Sequence, residues 1–202
     1  MTNMLSDKEI QDIVRKTVHL TLGLSTGLIT NTTDATKPLK MEHPHKESIK
    51  QTVALGTDHG GVDLKEILKQ HLISLGYEVI DCGTHTKDSI DYPDIARTVS
   101  ELVASGKAWR GVIIDGAGIG SCMAANKIPG VRAAMCYDHA SAVNSREHNN
   151  ANVLTLGAGM IGVNIAQQIL EIWLETEFGG GRHAKRVDKI TAIENDYLKD
   201  GK

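Results

Sequence analysis

From Gln51 onward, short apolar runs alternate with stretches in which apolar residues recur every three or four positions. The runs TVALGT, YEVIDCG, RGVIID, VRAAMCY and ANVLTLGA have the length and composition of buried strands. The stretches with a helical period are GGVDLKEILKQHLISLG, YPDIARTVSELVASG, GSCMAANKI, HASAVNSREHN and GVNIAQQILEIWLETEF. This alternation predicts right-handed βαβ crossovers. The expected fold is therefore α/β: a doubly wound, Rossmann-like, five-stranded parallel sheet between two helical layers (three-layer αβα).

The chain before this pattern divides into two segments. Residues 1–22 hold a predicted amphipathic helix, which begins with a capping box of Ser6 and Glu9. Its apolar positions follow a helical period, namely Ile10, Ile13, Val14 and Val18. Residues 23–50 are rich in Thr, Ser, Asn, Pro and Lys without any period, which predicts a flexible linker. We expect the α/β domain to occupy residues 51–202.

Composition narrows the classes of function. The chain of 202 residues has a net charge of -3, so it lacks the basic footprint that nucleic acid requires. No apolar run approaches the ~18 residues that span a bilayer. The three cysteines, Cys82, Cys122 and Cys136, have no zinc-type spacing and suit reduced thiols in a cytosol. We expect a cytoplasmic protein that binds neither nucleic acid nor membrane.

A glycine-rich segment follows the third predicted strand. Ligands of doubly wound folds bind at the carboxyl ends of strands, and here Gly116, Gly118 and Gly120 open a helix at such an end. Glycines there let backbone N–H groups approach an anion. A dinucleotide loop needs G-x-G-x-x-G after the first strand, and a Walker A loop needs Gly-Lys-Ser/Thr, so both are disfavoured. An active-site floor and a set of tight turns remain as interpretations.

Five motifs carry a family resemblance. GTDHGGVDLKEIL, DYPDIA, GAGIGSCMAANKIPGVRAA, SREHNNANVLTLGA and GGGRHAKRVDKI resemble, in the same order, the ribose-5-phosphate isomerase B family, which includes galactose-6-phosphate isomerase subunits. The resemblance extends from about Thr52 to Glu194. It implies a doubly wound fold, no cofactor, no metal, and a homodimer or homotetramer with its site between two subunits. His43 and His45 lie in the linker without a third ligand, so they are not interpreted as a metal site.

The resemblance implies an aldose–ketose isomerase that interconverts ribose 5-phosphate and ribulose 5-phosphate through an enediolate. Galactose 6-phosphate, allose 6-phosphate and a tetrose phosphate remain alternative substrates, and a non-catalytic sugar-phosphate-binding protein remains an alternative function. Asp115 stands where the family commonly has a cysteine, Ser121 where some members have a glutamate, and Ala117 where a hydroxyl residue is frequent. Because of these departures, the sequence does not determine which sugar phosphate is the substrate.

Two residues are candidates for moving the proton between C1 and C2. We favour Asp115, because a partly desolvated carboxylate at a strand end can accept a proton and then return it. The alternative for Asp115 is a helix cap. Cys122 is the rival base, or else a small buried core residue. The loop that presents N–H groups to the enediolate oxygen comprises Gly116, Ala117, Gly118, Ile119 and Gly120.

Polar residues after the first strand and in the second and fourth motifs have implied roles at the sugar. By resemblance, Asp58 and His59 bind the sugar and assist ring opening; the alternative is a helix cap and an exposed histidine. The family also implies that His148 protonates the ring oxygen, which imidazole suits, and that Asn149 holds a hydroxyl. Tyr92 either contacts the sugar or is a half-buried residue at a strand end.

Two arginines are candidates for binding the phosphate. Arg182 and Arg186 are four residues apart, hence on one helical face if a helix begins near Arg182. Two guanidinium groups can bind a phosphate bidentately. Without the resemblance the same pair would be interpreted as a solvated charged face.

The leading residues have no role in this chemistry. A short amphipathic helix on a polar linker resembles the encapsulation peptides that carry enzymes into bacterial microcompartments, so residues 5–22 are a candidate for binding a shell protein. The alternative is a helix that packs on its own oligomer. A membrane-surface helix is disfavoured, because the apolar face lacks Trp and Phe.

Overall fold

The computed structural model describes residues 51–199. Its five strands form one parallel sheet in the order β2-β1-β3-β5-β4. The strands are β1 Thr52–Thr57, β2 Glu78–Asp81, β3 Arg110–Asp115, β4 Ala133–Met135 and β5 Val153–Gly157. The helices are α1 Val62–Ser74, α2 Tyr92–Ala104, α3 Ile119–Ala125, α4 His139–Glu147, α5 Val163–Glu175 and α6 Gly181–Lys199. The predicted helix and linker of residues 1–50 lie outside the described residues.

Side chains alternate between two cores, one on each face of the sheet. Leu55 points to the core that α1, α4 and α5 cover, whereas its neighbour Ala54 points to the core under α2 and α3. In β3, Ile114 and Ile113 divide in the same way, because successive strand residues face opposite sides. Coverage on both faces explains why the central strands are apolar throughout. The predicted doubly wound α/β fold is confirmed.

The two edge strands are shorter than the sequence predicts. Apolar character extends over residues 77–83 and 131–137, but pairing is limited to β2 Glu78–Asp81 and β4 Ala133–Met135. Both strands have a partner on one side only. Fewer inter-strand hydrogen bonds hold their ends, so the flanking residues leave the ladder.

The sheet order creates a ligand crevice at one place. From β1 the chain crosses to β2 on one side and returns to β3 on the other side. Helices leave β1 and β3 toward opposite faces, and their loops diverge above the carboxyl ends of these strands. The residues that follow the two strands, Asp58 and Gly116, therefore flank the crevice. Within residues 51–199, no helix is long and apolar enough to cross a bilayer.

Candidate active site

The turn after β1 lies directly against the loop after β3. Asp58 is 8% exposed; its N–H donates to the Ile114 carbonyl (3.3 Å) and its Oδ1 accepts from the Gly60 N–H (2.9 Å). A methyl group added at Gly60 would come within 3.6 Å of the Gly116 nitrogen. The Asp58 carboxylate therefore lies at the crevice, and it also closes its own turn. It does not cap the helix that follows, because the N-cap of α1 is Gly61, which has no side-chain cap hydrogen bond.

Asp115 organises the glycine loop through its carboxylate. Oδ1 accepts hydrogen bonds from the Ala117 N–H (2.8 Å) and the Gly118 N–H, and Oδ2 accepts from the Ser121 N–H (3.1 Å). The residue is 4% exposed. This is the capping arrangement that the sequence offered as the alternative to a free base. Each carboxylate oxygen has two lone pairs, so Oδ2 keeps capacity for one further proton or donor.

The glycine loop leaves several backbone donors free. Within residues 51–199, the N–H groups of Gly116, Ile119 and Gly120 donate no hydrogen bond. Gly118 has a φ of +80°, a conformation that a side chain disfavours. Because Asp115 uses the N–H groups of Ala117 and Gly118, the free donors lie on either side of this anchored pair. The loop can therefore stabilise an oxyanion while its own shape is fixed by a carboxylate.

Tyr92 and His59 border this loop. The Tyr92 ring packs on Gly120, where a Cβ would lie 2.5 Å from the ring. Tyr92 is 40% exposed and begins α2. His59 is exposed, and its Nδ1 accepts from the Ile90 N–H (3.4 Å). Both predicted binding residues thus lie on the same edge of the sheet as Asp58.

The second group of predicted residues lies where α4 ends and α6 begins. The Asn144 amide donates to His148 Nδ1 (2.8 Å), and the Asn149 amide donates to the Asn144 carbonyl (3.1 Å). The His148 ring stacks on the His183 ring, with centroids 4.1 Å apart and planes 5° apart. The Gly179 N–H donates to the Glu147 carbonyl (2.9 Å), which ties the segment before α6 to the end of α4.

The two predicted arginines occupy the first turns of α6. Arg182 and Arg186 are both exposed, and their spacing places them on one face of the helix. The helix begins at Gly181, one residue before Arg182, as the phosphate-binding hypothesis required. Two accessible guanidinium groups on one face can bind a phosphate bidentately.

The predicted site residues thus fall into two groups, one around Asp58 and the glycine loop and one around His148 and the two arginines. These two groups lie at opposite edges of the sheet in a single chain. The chain leaves the carboxyl end of β4, runs back along α4 for about 13 Å, and enters β5 at its amino end. His148 and Asn149 follow α4 and precede β5, so they lie at the amino edge. Asp58 and the glycine loop lie at the carboxyl edge. One chain alone therefore does not bring all the predicted site residues together.

Cys122 is placed as a packed thiol. Burial raises the pKa of Cys122, although nearby hydrogen bonds from Thr155, Met135 and Asn126 act against the rise. Its Sγ lies 3.5 Å from the carbonyl of Ala133, the first residue of β4. A thiol with a raised pKa holds little thiolate near neutral pH. This environment matches the core interpretation of Cys122 better than the base interpretation.

Two residues with contacts in the site carry no assigned role in the sequence analysis. The Tyr137 hydroxyl donates to the Ala117 carbonyl (3.1 Å) and so supports the glycine loop from β4. His183 stacks on His148, as described above. Tyr137 belongs to a strand end, where the fold rule expects ligand-facing residues. His183 stands one residue after Arg182, inside a motif whose arginines drew attention first.

A cluster of ionisable groups lies between α1 and the segment that follows β2. The Glu66, Asp81 and His85 ligand atoms lie within 4.8 Å of one another. The fully buried Lys65 Nζ contacts all three, at 2.9 Å from Glu66, 3.0 Å from Asp81 and 3.2 Å from His85. An ammonium group at the centre of three such ligands makes the cluster an ion-pair network rather than a cation site.

These features define an α/β protein with free backbone N–H groups in a glycine loop at the carboxyl edge of its sheet. The chain belongs to the ribose/galactose isomerase family, whose model matches residues 53–190. The family resemblance that five motifs indicated is thus confirmed.

Named relatives and solved structures agree with this assignment. The chain is 44% identical to ribose-5-phosphate isomerase B of Escherichia coli (strain K12), over 70% of this chain and 95% of that protein. It is 41% identical to D-erythrulose-4-phosphate isomerase of Pectobacterium atrosepticum, over 71% of this chain and 95% of that protein. The structure of Clostridium thermocellum ribose-5-phosphate isomerase B superposes with a TM-score of 0.72 at 50% identity, covering 73% of this chain and 99% of that one.

Proposed function

We propose that this protein interconverts ribose 5-phosphate and ribulose 5-phosphate. The observation that carries the proposal is the crevice where Asp58 adjoins a glycine loop with three free N–H groups. An aldose–ketose isomerisation develops negative charge on an enediolate oxygen, and fixed N–H donors stabilise such charge. The relatives named ribose-5-phosphate isomerase B support the same pair of sugars.

In this proposal each group of residues serves one requirement of the reaction. Asp58 and His59 hold the sugar, and Tyr92 borders it. His148 protonates the ring oxygen to open the sugar, while Asn149 binds a hydroxyl. The phosphate binds to Arg182 and Arg186. Because the two groups lie at opposite edges of one chain, the complete site forms between two subunits of a homodimer or of a homotetramer.

Asp115 moves the proton between C1 and C2 in this proposal. Two of its three backbone bonds are on Oδ1, so the spare lone pair of Oδ2 can take the proton without opening the glycine loop. The same carboxylate then returns the proton to the neighbouring carbon. Cys122 remains the rival base, disfavoured by its raised pKa and by its direction toward β4.

Turnover of a panel of sugar phosphates tests the proposal. We expect the highest kcat/KM with ribose 5-phosphate and ribulose 5-phosphate. A higher value with a tetrose phosphate would assign the chain to the reaction that the Pectobacterium relative is named for, and galactose 6-phosphate and allose 6-phosphate test the hexoses. Binding without turnover of any sugar would establish the non-catalytic alternative.

The N-terminal segment is proposed to direct the enzyme rather than to serve catalysis. The support is its sequence, which predicts a capped amphipathic helix within residues 1–22 and a polar linker over 23–50, before a domain over 51–202. We infer that residues 5–22 bind a shell protein and that the enzyme works in the cytoplasm, inside a bacterial microcompartment.

Deletion of residues 1–45 tests the targeting role. The truncated enzyme should keep the kcat/KM of the full chain, because the residues proposed for catalysis all follow residue 57. It should lose co-localisation with co-expressed shell proteins, measured by fluorescence microscopy. Loss of activity or dissociation of the oligomer on size-exclusion chromatography would instead show that the helix packs within the oligomer.

A further inference from the structure

Two histidines from separate elements form one stacked pair. His148 caps the C-terminus of α4, and His183 lies in the first turn of α6. Their rings are 4.1 Å apart and nearly parallel. On its other side His148 is held by the Asn144 amide, which donates to Nδ1 (2.8 Å). The His148 imidazole is thus fixed by an amide along its own helix and by a ring from another element.

His183 also contacts the first of the two arginines. Arg182 Nε donates to His183 Nε2, with 3.3 Å between the nitrogens. A ring nitrogen can accept only when it carries no proton. The His183 imidazole therefore contacts His148, the proposed ring-opening residue, through its face. It contacts Arg182, a proposed phosphate-binding residue, through its edge.

Desolvation and the neighbouring charges both favour the uncharged form of the His183 ring. Partial desolvation lowers the pKa of His183, and the neighbouring His148, Arg182 and Arg186 lower it further, whereas Glu147 acts in the opposite direction. These four are the titratable groups that face the ring from α4 and α6. A proton on Nε2 would abolish the hydrogen bond from Arg182 and add a positive charge among three basic side chains.

We propose that His183 is a positioning residue, which fixes the His148 imidazole and the Arg182 guanidinium relative to each other. The inference rests on the proposed function, in which these two groups act on the ring oxygen and on the phosphate. Opening the ring requires the acid to meet one oxygen of a sugar whose phosphate is already bound. A shared contact sets the distance between the His148 ring and the Arg182 guanidinium before substrate arrives. This reduces the entropy that is lost when the substrate binds.

Two substitutions separate the two contacts. His183→Phe keeps an aromatic face for His148 but has no acceptor for Arg182, so we expect KM for ribose 5-phosphate to rise about tenfold while kcat stays within about twofold. His183→Gln keeps an acceptor but has no ring, so we expect kcat to fall about tenfold with a smaller change in KM. The matched control is Lys185→Gln at an exposed position of the same helix, which should leave both constants unchanged.

A pH series distinguishes positioning from general stability. The pKa of His183 is lowered, so its protonation occurs at acid pH, where it removes the acceptor in the wild type but not in His183→Gln. The ratio of wild-type KM to His183→Gln KM should therefore rise toward acid pH. The substrate phosphate titrates alike in both proteins, so its titration leaves this ratio unchanged.

The outcomes also separate this inference from the proposed function. If the wild type turns over sugar phosphates and both variants behave like Lys185→Gln, or if kcat, KM and melting temperature all decline together, His183 has no positioning role. If the wild type turns over none, the proposed function fails. Calorimetry with inorganic phosphate then still tests the contact: His183→Phe should bind phosphate more weakly than wild type, and equal affinity overturns the inference.

Discussion

At the scale of single residues, Asp115 combines an anchoring contact with a proposed chemical role. Asp115→Asn keeps an oxygen that can accept the N–H groups of Ala117 and Gly118, but its amide cannot take a proton from carbon. We expect kcat to fall by about 10²–10⁴ while inorganic phosphate still binds with wild-type affinity. Steady-state kinetics and calorimetry on the same preparation measure the two quantities.

The control for Asp115 is the neighbouring thiol. Cys122→Ala should change kcat by less than about threefold, because a half-buried thiol with a raised pKa holds little reactive thiolate. A large loss in Cys122→Ala together with an active Asp115→Asn would reverse the assignment of the base. A loss of kcat in Asp115→Asn that is matched by a loss of phosphate binding and of melting temperature would leave Asp115 as an anchor only.

At the scale of elements, a buried lysine joins α1 to the segment after β2. Lys65 Nζ donates to both carboxylate oxygens of Asp81 (3.0 Å) and to the Thr84 carbonyl (3.2 Å). Lys65→Met leaves Asp81 with Lys69 as its remaining cation, so we expect a loss of about 3 kcal/mol in the free energy of unfolding. Urea unfolding measures it. Lys69→Met, at a partly exposed side chain, should cost less; an equal cost for the two variants would contradict the role of Lys65.

The same ion pairs predict how stability depends on pH. Burial acts to raise the pKa of Asp81, but the hydrogen bonds from Lys69 and Lys65 outweigh it and lower the pKa below 3.8. A lowered pKa in the folded state contributes stability above the unfolded value, and that contribution disappears as the pH falls through the folded value. The difference in stability between wild type and Lys69→Met should therefore shrink below about pH 4. A difference that stays constant there would show that Lys69 acts by packing alone.

At the scale of the whole molecule, the separation of the two groups of residues predicts a site shared by two subunits. Asp58→Asn and Arg182→Ala should each be inactive as homodimers, since each removes one part of every site. A heterodimer of the two variants, purified through two different affinity tags, contains one intact site and should recover about half of the wild-type activity. A heterodimer as inactive as its parents would show that both groups act within one chain.

The matched heterodimer pairs a wild-type subunit with the double variant Asp58→Asn, Arg182→Ala. If the sites are shared between subunits, each of the two sites then lacks either Asp58 or Arg182, so this heterodimer should be inactive. Activity near half of wild type would mean that Asp58 and Arg182 serve the same site from the same chain.

Local sequence patterns were sufficient to predict the strands and helices, and also the edge of the sheet at which ligands are expected to bind. The runs TVALGT and RGVIID are apolar throughout because β1 and β3 are covered on both faces, so their pattern is visible without tertiary information. The glycines after β3 identified the loop for a comparable reason, since backbone donors can be exposed only where side chains are absent. Residues whose contacts lie far away along the chain were harder to interpret. Lys65 reads as part of a charged helix face, and its burial appears only when β2 and the following segment pack over it.

By itself, the sequence determined the order of strands and helices, the family and the residue types available for the chemistry, because these depend on periodicity and on motifs of a few residues. Only the tertiary structure decided that Asp115 binds the main chain of its own loop, that His183 joins His148 to Arg182, and that the two groups of site residues lie at opposite edges of one sheet. These relations depend on how distant segments approach each other in space, which no local pattern of apolar and polar positions encodes.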